Sequence, residues 1–595
     1  MCGIAAAFDR TGRGIDPEAL VCTRDRMAVR GPDGTGLWMA PDRHVGLAHR
    51  RLAIIDTSDA GIQPIVSADG RFHITFNGEI YNYAALKDAL IRDGHTFRTG
   101  TDTEVILTLY AREGAGMLER LRGMYALAIH DAEARTLFLA RDPYGIKPLY
   151  LADDGRRFAA ASQVQALLAG GGIDTTPEPA GHAGFFLWGH VPDPFTLYRG
   201  IRALPAGHHL LVEEGRVNTP VAFASIPDRL AEAEREAGEV RDVAESLREA
   251  MRDTIRHHLV ADVPVGVFLS AGLDSTTLAA LTAETPTPLQ TVTLGFEEFR
   301  GTPRDEVPLA EAVARHLGAK HDTVWTTKSD FTGALDGLME AMDQPTIDGV
   351  NTYFVSRAAA QAGLKVVLSG LGGDELFGGY PTFRDVPRLV GTVGRVPAAR
   401  VLGRGVRALT APVVRRVTSP KYAGLLEYGS GYGGAYLLRR ALYMPWELGR
   451  VLDPDVAREG LATLQTVARL DATARPPRAP GLKVTALESC WYMRHQLLRD
   501  ADWAGMAHSL ELRTPLVDWT LLDRVARLRA AHPALGKRDM ARTPATSLPA
   551  DVLNRPKTGF SIPVGEWVRA EATGPEERGL RGWARFVHGR FAAGL

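Results

Sequence analysis

The sequence predicts two domains of different class: an α+β, strand-rich unit over residues 2–210, then an α/β unit over 241–575 built on a doubly wound parallel sheet. Three observations predict it. A chain of 595 residues is too long for a single hydrophobic core. Its first third carries short apolar or alternating runs between Gly, Asp and Pro punctuation, such as His73–Phe76 and Tyr125–His130. From Leu259 onward the pattern becomes strand, glycine turn, helix, which implies a parallel sheet.

Taken in order, Leu204-Pro205-Ala206-Gly207-His208 reads as the last turn of the first domain before its final strand. Residues 211–240 read as a linker, rich in Ala, Glu and Arg from Asp228 and running into a helix. In the second domain Val265–Leu269, Thr291–Leu294 and Lys365–Leu368 are expected as buried strands and Ser275–Ala283 as a helix. Residues 390–470 are Arg- and Ala-rich and expected to be helical; 576–595 read as a charged tail.

Composition excludes several classes. A hydrophobic content of 45% and a formal charge of −1 give no basic field for nucleic acid or an anionic membrane. No apolar run reaches the roughly 20 residues of a spanning helix, and no basic-then-apolar leader opens the chain. The three cysteines, Cys2, Cys22 and Cys490, have no metal-ligand spacing. A reducing, cytoplasmic setting is expected, in which Cys2 stays a free thiol.

Cys2 is the first candidate for chemistry. Removal of Met1 would leave a sulfur nucleophile and a free α-amine on one residue, and an amine with a pKa near ~8 can take the thiol proton without a histidine. Four segments accompany it: His49–Asp56 containing Arg51, Phe76–Asn82 containing Asn77, Gly78 and Glu79, Gly100–Glu104 containing Asp102, and Arg141–Tyr150. Taken singly, Arg51 reads equally as a surface ion pair, Asn77 as a turn residue and Asp102 as a helix cap. Together, and in this order, they resemble the class II glutamine amidotransferases, which are N-terminal-nucleophile hydrolases with an αββα sandwich. That resemblance implies Cys2 as nucleophile, with the Asn77 amide and the Gly78 N–H as oxyanion donors. It also implies that Arg51 binds the α-carboxylate of glutamine, and Asp102, with Glu79, its α-ammonium. The glycine is expected because a Cβ there would obstruct the reacting carbon.

Phe268-Leu269-Ser270-Ala271-Gly272-Leu273-Asp274-Ser275 follows a buried strand and opens a helix, the placement at which backbone N–H groups bind phosphate. It lacks the lysine of a P-loop, and alone it reads equally as a strand–helix turn. A second glycine-dense loop, Ser369–Tyr380, follows another buried strand and carries Asp374-Glu375. The pair resembles the SGGxDS and companion loops of the asparagine synthetase family, whose ATP-pyrophosphatase domain cuts ATP between its α and β phosphates. The resemblance extends through Met506–Pro515 and Arg555–Phe560 and covers the chain from end to end. It implies that Phe268, Ser270, Gly272, Asp274, Ser275, Leu294, Ser369 and Gly370 contact ATP, and that Asp274 and Asp374 hold Mg²⁺. Lys537 is the candidate for a lysine that stabilises charge during adenylation.

Two residues depart from the family pattern. Ala271 stands where the motif has glycine, tolerable if its φ is negative. Leu371 stands where asparagine synthetases commonly carry a glutamate, and leucine can neither accept a proton nor pair with ammonium. The expected reaction is therefore glutamine-dependent, ATP-driven amidation of a carboxylic acid, with aspartate as default acceptor and a specialised carboxylate as alternative. Ring closure by an internal amine and a non-catalytic scaffold fit less well, because the glutaminase set is intact. The family resemblance is compatible with a homodimer.

Overall fold

The computed structural model describes residues 2–417, 419–555, 567 and 579–592. The strands of the first domain are β1 (Gly3–Asp9), β2 (Gly34–Met39), β3 (Val45–Arg51), β4 (Ile65–Val66), β5 (Phe72–Ile80), β6 (Gly123–Asp131), β7 (Thr136–Arg141), β8 (Tyr150–Asp153), β9 (Arg157–Ala161), β10 (Arg202–Ala203), β11 (His208–Glu213), β12 (Arg216–Val217) and β13 (Val221–Ala222). They form two antiparallel sheets, ordered β10-β8-β9-β1-β3-β2 and β12-β11-β7-β6-β5-β4, with β13 pairing on β11. Period-2 alternation explains the layering. Ile4, Ala6 and Phe8 of β1 face Ala126, Ala128, Leu137 and Leu139 of the second sheet and make the sandwich core. Ala5 and Ala7 point outward under Leu20 of the helix Pro17–Asp25. Beyond the second sheet, Ile74 and Phe76 pack under Leu86 and Val105 from the helices Tyr83–Arg92 and Asp102–Glu113. The result is αββα.

The second domain holds a five-stranded parallel sheet, ordered β16-β15-β14-β17-β18, with β14 (Val265–Phe268), β15 (Gln290–Phe296), β16 (Lys320–Thr326), β17 (Val366–Leu368) and β18 (Glu511–Arg513). Three strands were expected; β16 and β18 add one at each edge. The central β14 has β15 on one side and β17 on the other, so the loops after β14 and β17 diverge at a switch point, where open α/β sheets bind ligands. Residues 390–470 are helical as expected, with Tyr432–Arg440, Pro454–Leu464 and Thr466–Ala474 the best buried.

Two boundaries differ from the sequence reading. Residue 210 falls inside β11, and β12 and β13 pair on that strand, so the first domain runs to Ala222. The segment expected as linker then forms the helix Ile226–Arg235, which buries Ile226, Leu230 and Ala233 and pairs Arg229 with Asp523 at 3.0 Å. An alternating-charge surface concealed that narrow apolar stripe. The expected tail contains the helix Leu580–Ala592, anchored by Trp583, Ala584 and Val587.

Candidate active sites

Cys2 lies at the start of β1, 8% exposed, and its backbone nitrogen donates to Asn77 Oδ1 at 2.9 Å. That nitrogen donates, so the Asn77 amide turns its oxygen toward it. The buried Asn77 Nδ2 then lacks a partner among the described residues. A buried amide donor without an acceptor costs free energy unless a ligand supplies one. It stands on the same side chain that fixes the nucleophilic residue, where an oxyanion donor is required. Burial pushes the Cys2 thiol up, and the Leu52 N–H opposes this. The group is thus a thiol near neutrality and needs a base.

Strand packing by itself requires a glycine at position 78. A Cβ there would lie 2.1 Å from the carbonyl oxygen of Met124 on the neighbouring strand β6. Arg51 is buried at the end of β3, with Nη1 donating to Ser58 O at 2.6 Å and Nη2 donating to Asp56 O. Asp102 opens its helix and accepts the Ile80 N–H at 3.0 Å; burial holds its carboxyl up at about 6. Glu79 faces the second domain, with Oε2 3.4 Å from Arg513 Nη2, and burial raises it. Asp142, within the expected Arg141–Tyr150 segment, organises its loop by accepting the Tyr144, Ile146 and Lys147 N–H groups.

The second site is a cavity of about 940 Å³ at the switch point. Phe268, Ser270, Gly272, Asp274, Ser275, Leu294, Ser369, Gly370, Asp374 and Lys537 all line it, so every residue proposed for this site is brought together. The helix Leu273–Ala283 begins at Gly272 with no side-chain cap, leaving its first N–H groups for an anion. Ser270 and Ser275 meet at 3.1 Å between their hydroxyl oxygens. Lys537 Nζ lies 2.5 Å from Asp274 Oδ2 and also contacts Asp374 Oδ1. A Cβ at Gly379 would sit 1.9 Å from Asp374 Oδ1, so glycine leaves room for this cluster. Two carboxylates converging on one cationic atom fit Mg²⁺, which commonly takes one or two protein carboxylates and completes its shell with phosphate and water. No cluster of three or more metal-ligating side chains occurs among the described residues. Arg555 also lines the cavity and pairs with Glu306 at 3.2 Å; Pro556–Phe560 lie outside the described residues.

The condition set for Ala271 is not met. Its φ is +53°, in the left-handed region, and it is fully buried. The β-carbon is strained there by roughly 1 kcal/mol relative to glycine.

The two sites share a wall. Leu512 of β18 lines the nucleotide cavity, whereas its neighbours Glu511 and Arg513 turn the other way, toward Glu79. Sequence reading quoted this segment as a motif without seeing that alternation. It also missed Arg30, whose Nε donates to Cys2 O at 3.3 Å while Nη1 and Nη2 clamp Asp502 of the second domain at 2.7 and 3.0 Å. Arg30-Gly31-Pro32-Asp33 was the available signal. Asp348 and Asp500, which also line the cavity, carried none, whereas Glu375 belongs to the carboxylate pair read in the Ser369–Tyr380 loop.

Residues 1–222 match the family model described as glutamine amidotransferase domain, and residues 246–580 match that described as asparagine synthase. "Asparagine synthetase [glutamine-hydrolyzing] 1" of Bacillus subtilis (strain 168) is 30% identical, over 96% of this chain and 88% of its own. "Asparagine synthetase B [glutamine-hydrolyzing]" of Escherichia coli (strain K12) is 32% identical over 65% of this chain and 66% of its own. A Gibberella zeae protein named "Amidase chry2" is 31% identical over 64% and 60%. With a family model spanning more than half its length and a 30%-identical relative covered almost throughout, this chain belongs to the glutamine-hydrolysing asparagine synthetase family, carbon–nitrogen ligases that drive amidation with ATP.

Proposed function

We propose a two-site reaction carried by named residues. At the first site, removal of Met1 frees the Cys2 α-amine, which takes the thiol proton. The sulfur attacks the side-chain amide carbon of glutamine, and charge developing on oxygen is met by Asn77 Nδ2 and the Gly78 N–H. Ammonia leaves, and water cleaves the thioester to give glutamate. Arg51 and Asp102 hold the two charged ends of glutamine, each already anchored by backbone groups that fix its direction.

At the second site, the acceptor carboxylate attacks the α-phosphate of ATP, forming an acyl-adenylate and releasing pyrophosphate. Ammonia then displaces AMP and yields the amide and a proton. Asp274 and Asp374 would hold Mg²⁺, which neutralises phosphate charge when bound. Lys537 bridges the same two carboxylates and is poised to face the pyrophosphate. Aspartate is the reference acceptor, and the setting is cytoplasmic; no helix among the described residues is long and apolar enough to cross a membrane.

The observation that carries this reading is the Cys2–Asn77 contact, which leaves a buried amide donor aimed away from the nucleophile's nitrogen. The test is Cys2→Ala: glutamine-dependent amidation should vanish while ammonium-dependent amidation, read as AMP and pyrophosphate, persists. Loss of both activities in a folded variant, or ADP as product, would overturn the scheme.

A further inference from the structure

Part of the second cavity's lining is acidic. Asp348, Glu375 and Asp500 line it together with Tyr380, Tyr492 and Leu371. Their hydrogen bonds come from neutral groups: Tyr492 OH to Asp348 Oδ2 at 3.4 Å, Tyr380 OH to Glu375 Oε1 at 2.9 Å, and Thr346 OH and Trp503 Nε1 to the two oxygens of Asp500 at 3.0 and 2.9 Å. Among the described residues, several cations near this cavity are committed to acids. Lys537 bridges Asp274 and Asp374 and Arg555 holds Glu306, whereas Arg529 has no carboxylate partner and donates through Nη1 to Leu376 O and the Thr485 hydroxyl. Arg538, exposed, follows Lys537 on the phosphate side. Arg440 lies against the Tyr380 and Tyr492 rings, 4.3 and 3.8 Å from their centroids, and pairs with the fully buried Glu488 at 2.9 Å.

Charge balance decides what such a lining accepts. A second carboxylate placed beside Asp348 and Asp500 meets two acids, the neighbouring Arg440 is already held by Glu488, and the Leu371 side chain offers it no hydrogen bond. An ammonium group meets carboxylate acceptors on Asp348 and Asp500. Asp500 is itself unsettled without it: burial and then Asp348 lift its carboxyl to about 8. An arriving cation favours its ionised form.

Resting on the amidation reaction proposed above, we propose that the acceptor is a carboxylic acid bearing an amine and no second free carboxylate at that end. Its ammonium group is clamped by Asp348 and Asp500, and its reacting carboxylate is turned toward the Ser270–Ser275 loop. Aspartate satisfies half of this, since its α-ammonium fits and its α-carboxylate does not. Asp348 and Asp500 are then the residues that set acceptor class, and Leu371 is part of the same specificity rather than a loss.

The test uses the full-length enzyme with ATP, Mg²⁺ and ammonium chloride, so that the glutaminase is bypassed, and reads pyrophosphate release. The probes are β-alanine, 4-aminobutanoate, lysine and aspartate α-amide as amine-bearing acids, against aspartate, succinate and N-acetyl-β-alanine. We expect release from at least one amine-bearing acid to exceed that from aspartate, succinate and the acetylated acid by about tenfold or more. Asp348→Asn and, separately, Asp500→Asn should raise KM for that acid by about tenfold while the KM for ATP stays within about twofold. Preference for succinate or N-acetyl-β-alanine, silence from every amine-bearing acid, or an unchanged acceptor KM in both variants would overturn the proposal. Failure of the underlying reaction is a separate result: ADP in place of AMP, or no glutamine hydrolysis by the unmodified enzyme.

Discussion

Arg513 holds Glu79 at 3.4 Å from one side of a strand while its own carbonyl accepts the Ser369 N–H at 2.8 Å on the nucleotide loop. Glu79 directly follows Gly78, so one residue touches a glutaminase strand and the second ATP loop at once. Its guanidinium is also tied to Glu511 at 2.6 Å and to the carbonyls of His258 and Val260. Removing it takes away the guanidinium that lies 2.6 Å from the buried Glu511. Arg513→Met should therefore destabilise the protein by about 3–5 kcal/mol. Glu79→Gln should cost much less, because burial already drives Glu79 toward its neutral form. Urea unfolding of the two variants checks the contrast, and equal losses would contradict it.

The left-handed Ala271 gives a gain-of-stability prediction. Ala271→Gly removes a buried methyl from an unfavourable backbone region and should stabilise the fold by about 0.5–1 kcal/mol, less the added entropy of the unfolded chain. A rise in Tm with unchanged or lower KM for ATP is expected. A fall in Tm would show that the loop is held by its side-chain packing.

Asp102 sets a pH limb on glutamine use. Its carboxyl sits at about 6, so above that value it is ionised and can pair with the α-ammonium of glutamine. As pH falls through 6 the carboxyl protonates and the pair is lost, and KM for glutamine should climb by up to about tenfold per pH unit. Ammonium-dependent turnover serves as the control for acid effects on the second site. Asp102→Asn should raise KM at neutral pH and flatten that limb.

Lys537 and a divalent cation compete for the same two carboxylates. Lys537→Met leaves Asp274 and Asp374 without the ammonium that now bridges them. Added Mg²⁺ should then raise the Tm of Lys537→Met by more than it raises that of the unmodified protein. A smaller shift in the variant would argue that the carboxylates do not bind the metal without the lysine.

Much of both sites was legible because their residues come in short local motifs: Asn77-Gly78-Glu79 on one strand, Ser270–Ser275 at one strand–helix turn. The three strands read in the second domain were buried apolar runs with glycine turns. Edge strands β16 and β18 were not, since Lys320–Thr326 is mostly polar and Glu511–Arg513 is three residues long. Contacts that join distant segments left no local mark. Arg30 meets Asp502 across 472 positions, and Lys537 reaches Asp274 across 263. The helix Ile226–Arg235 was hidden by its charge, and the left-handed φ of Ala271 is a tertiary outcome that composition does not carry.

The party wall formed by Glu511-Leu512-Arg513 has a consequence for how this enzyme can change. Because successive side chains serve opposite rooms, Leu512 can be exchanged to reshape the nucleotide cavity without disturbing the charges beside Glu79. Slipping the strand by a single residue would instead hand a charged group to the nucleotide cavity and a leucine to the glutaminase in one step. The cavity is therefore open to change by point replacement at Leu512, whereas insertions and deletions within the segment should silence both chemistries together.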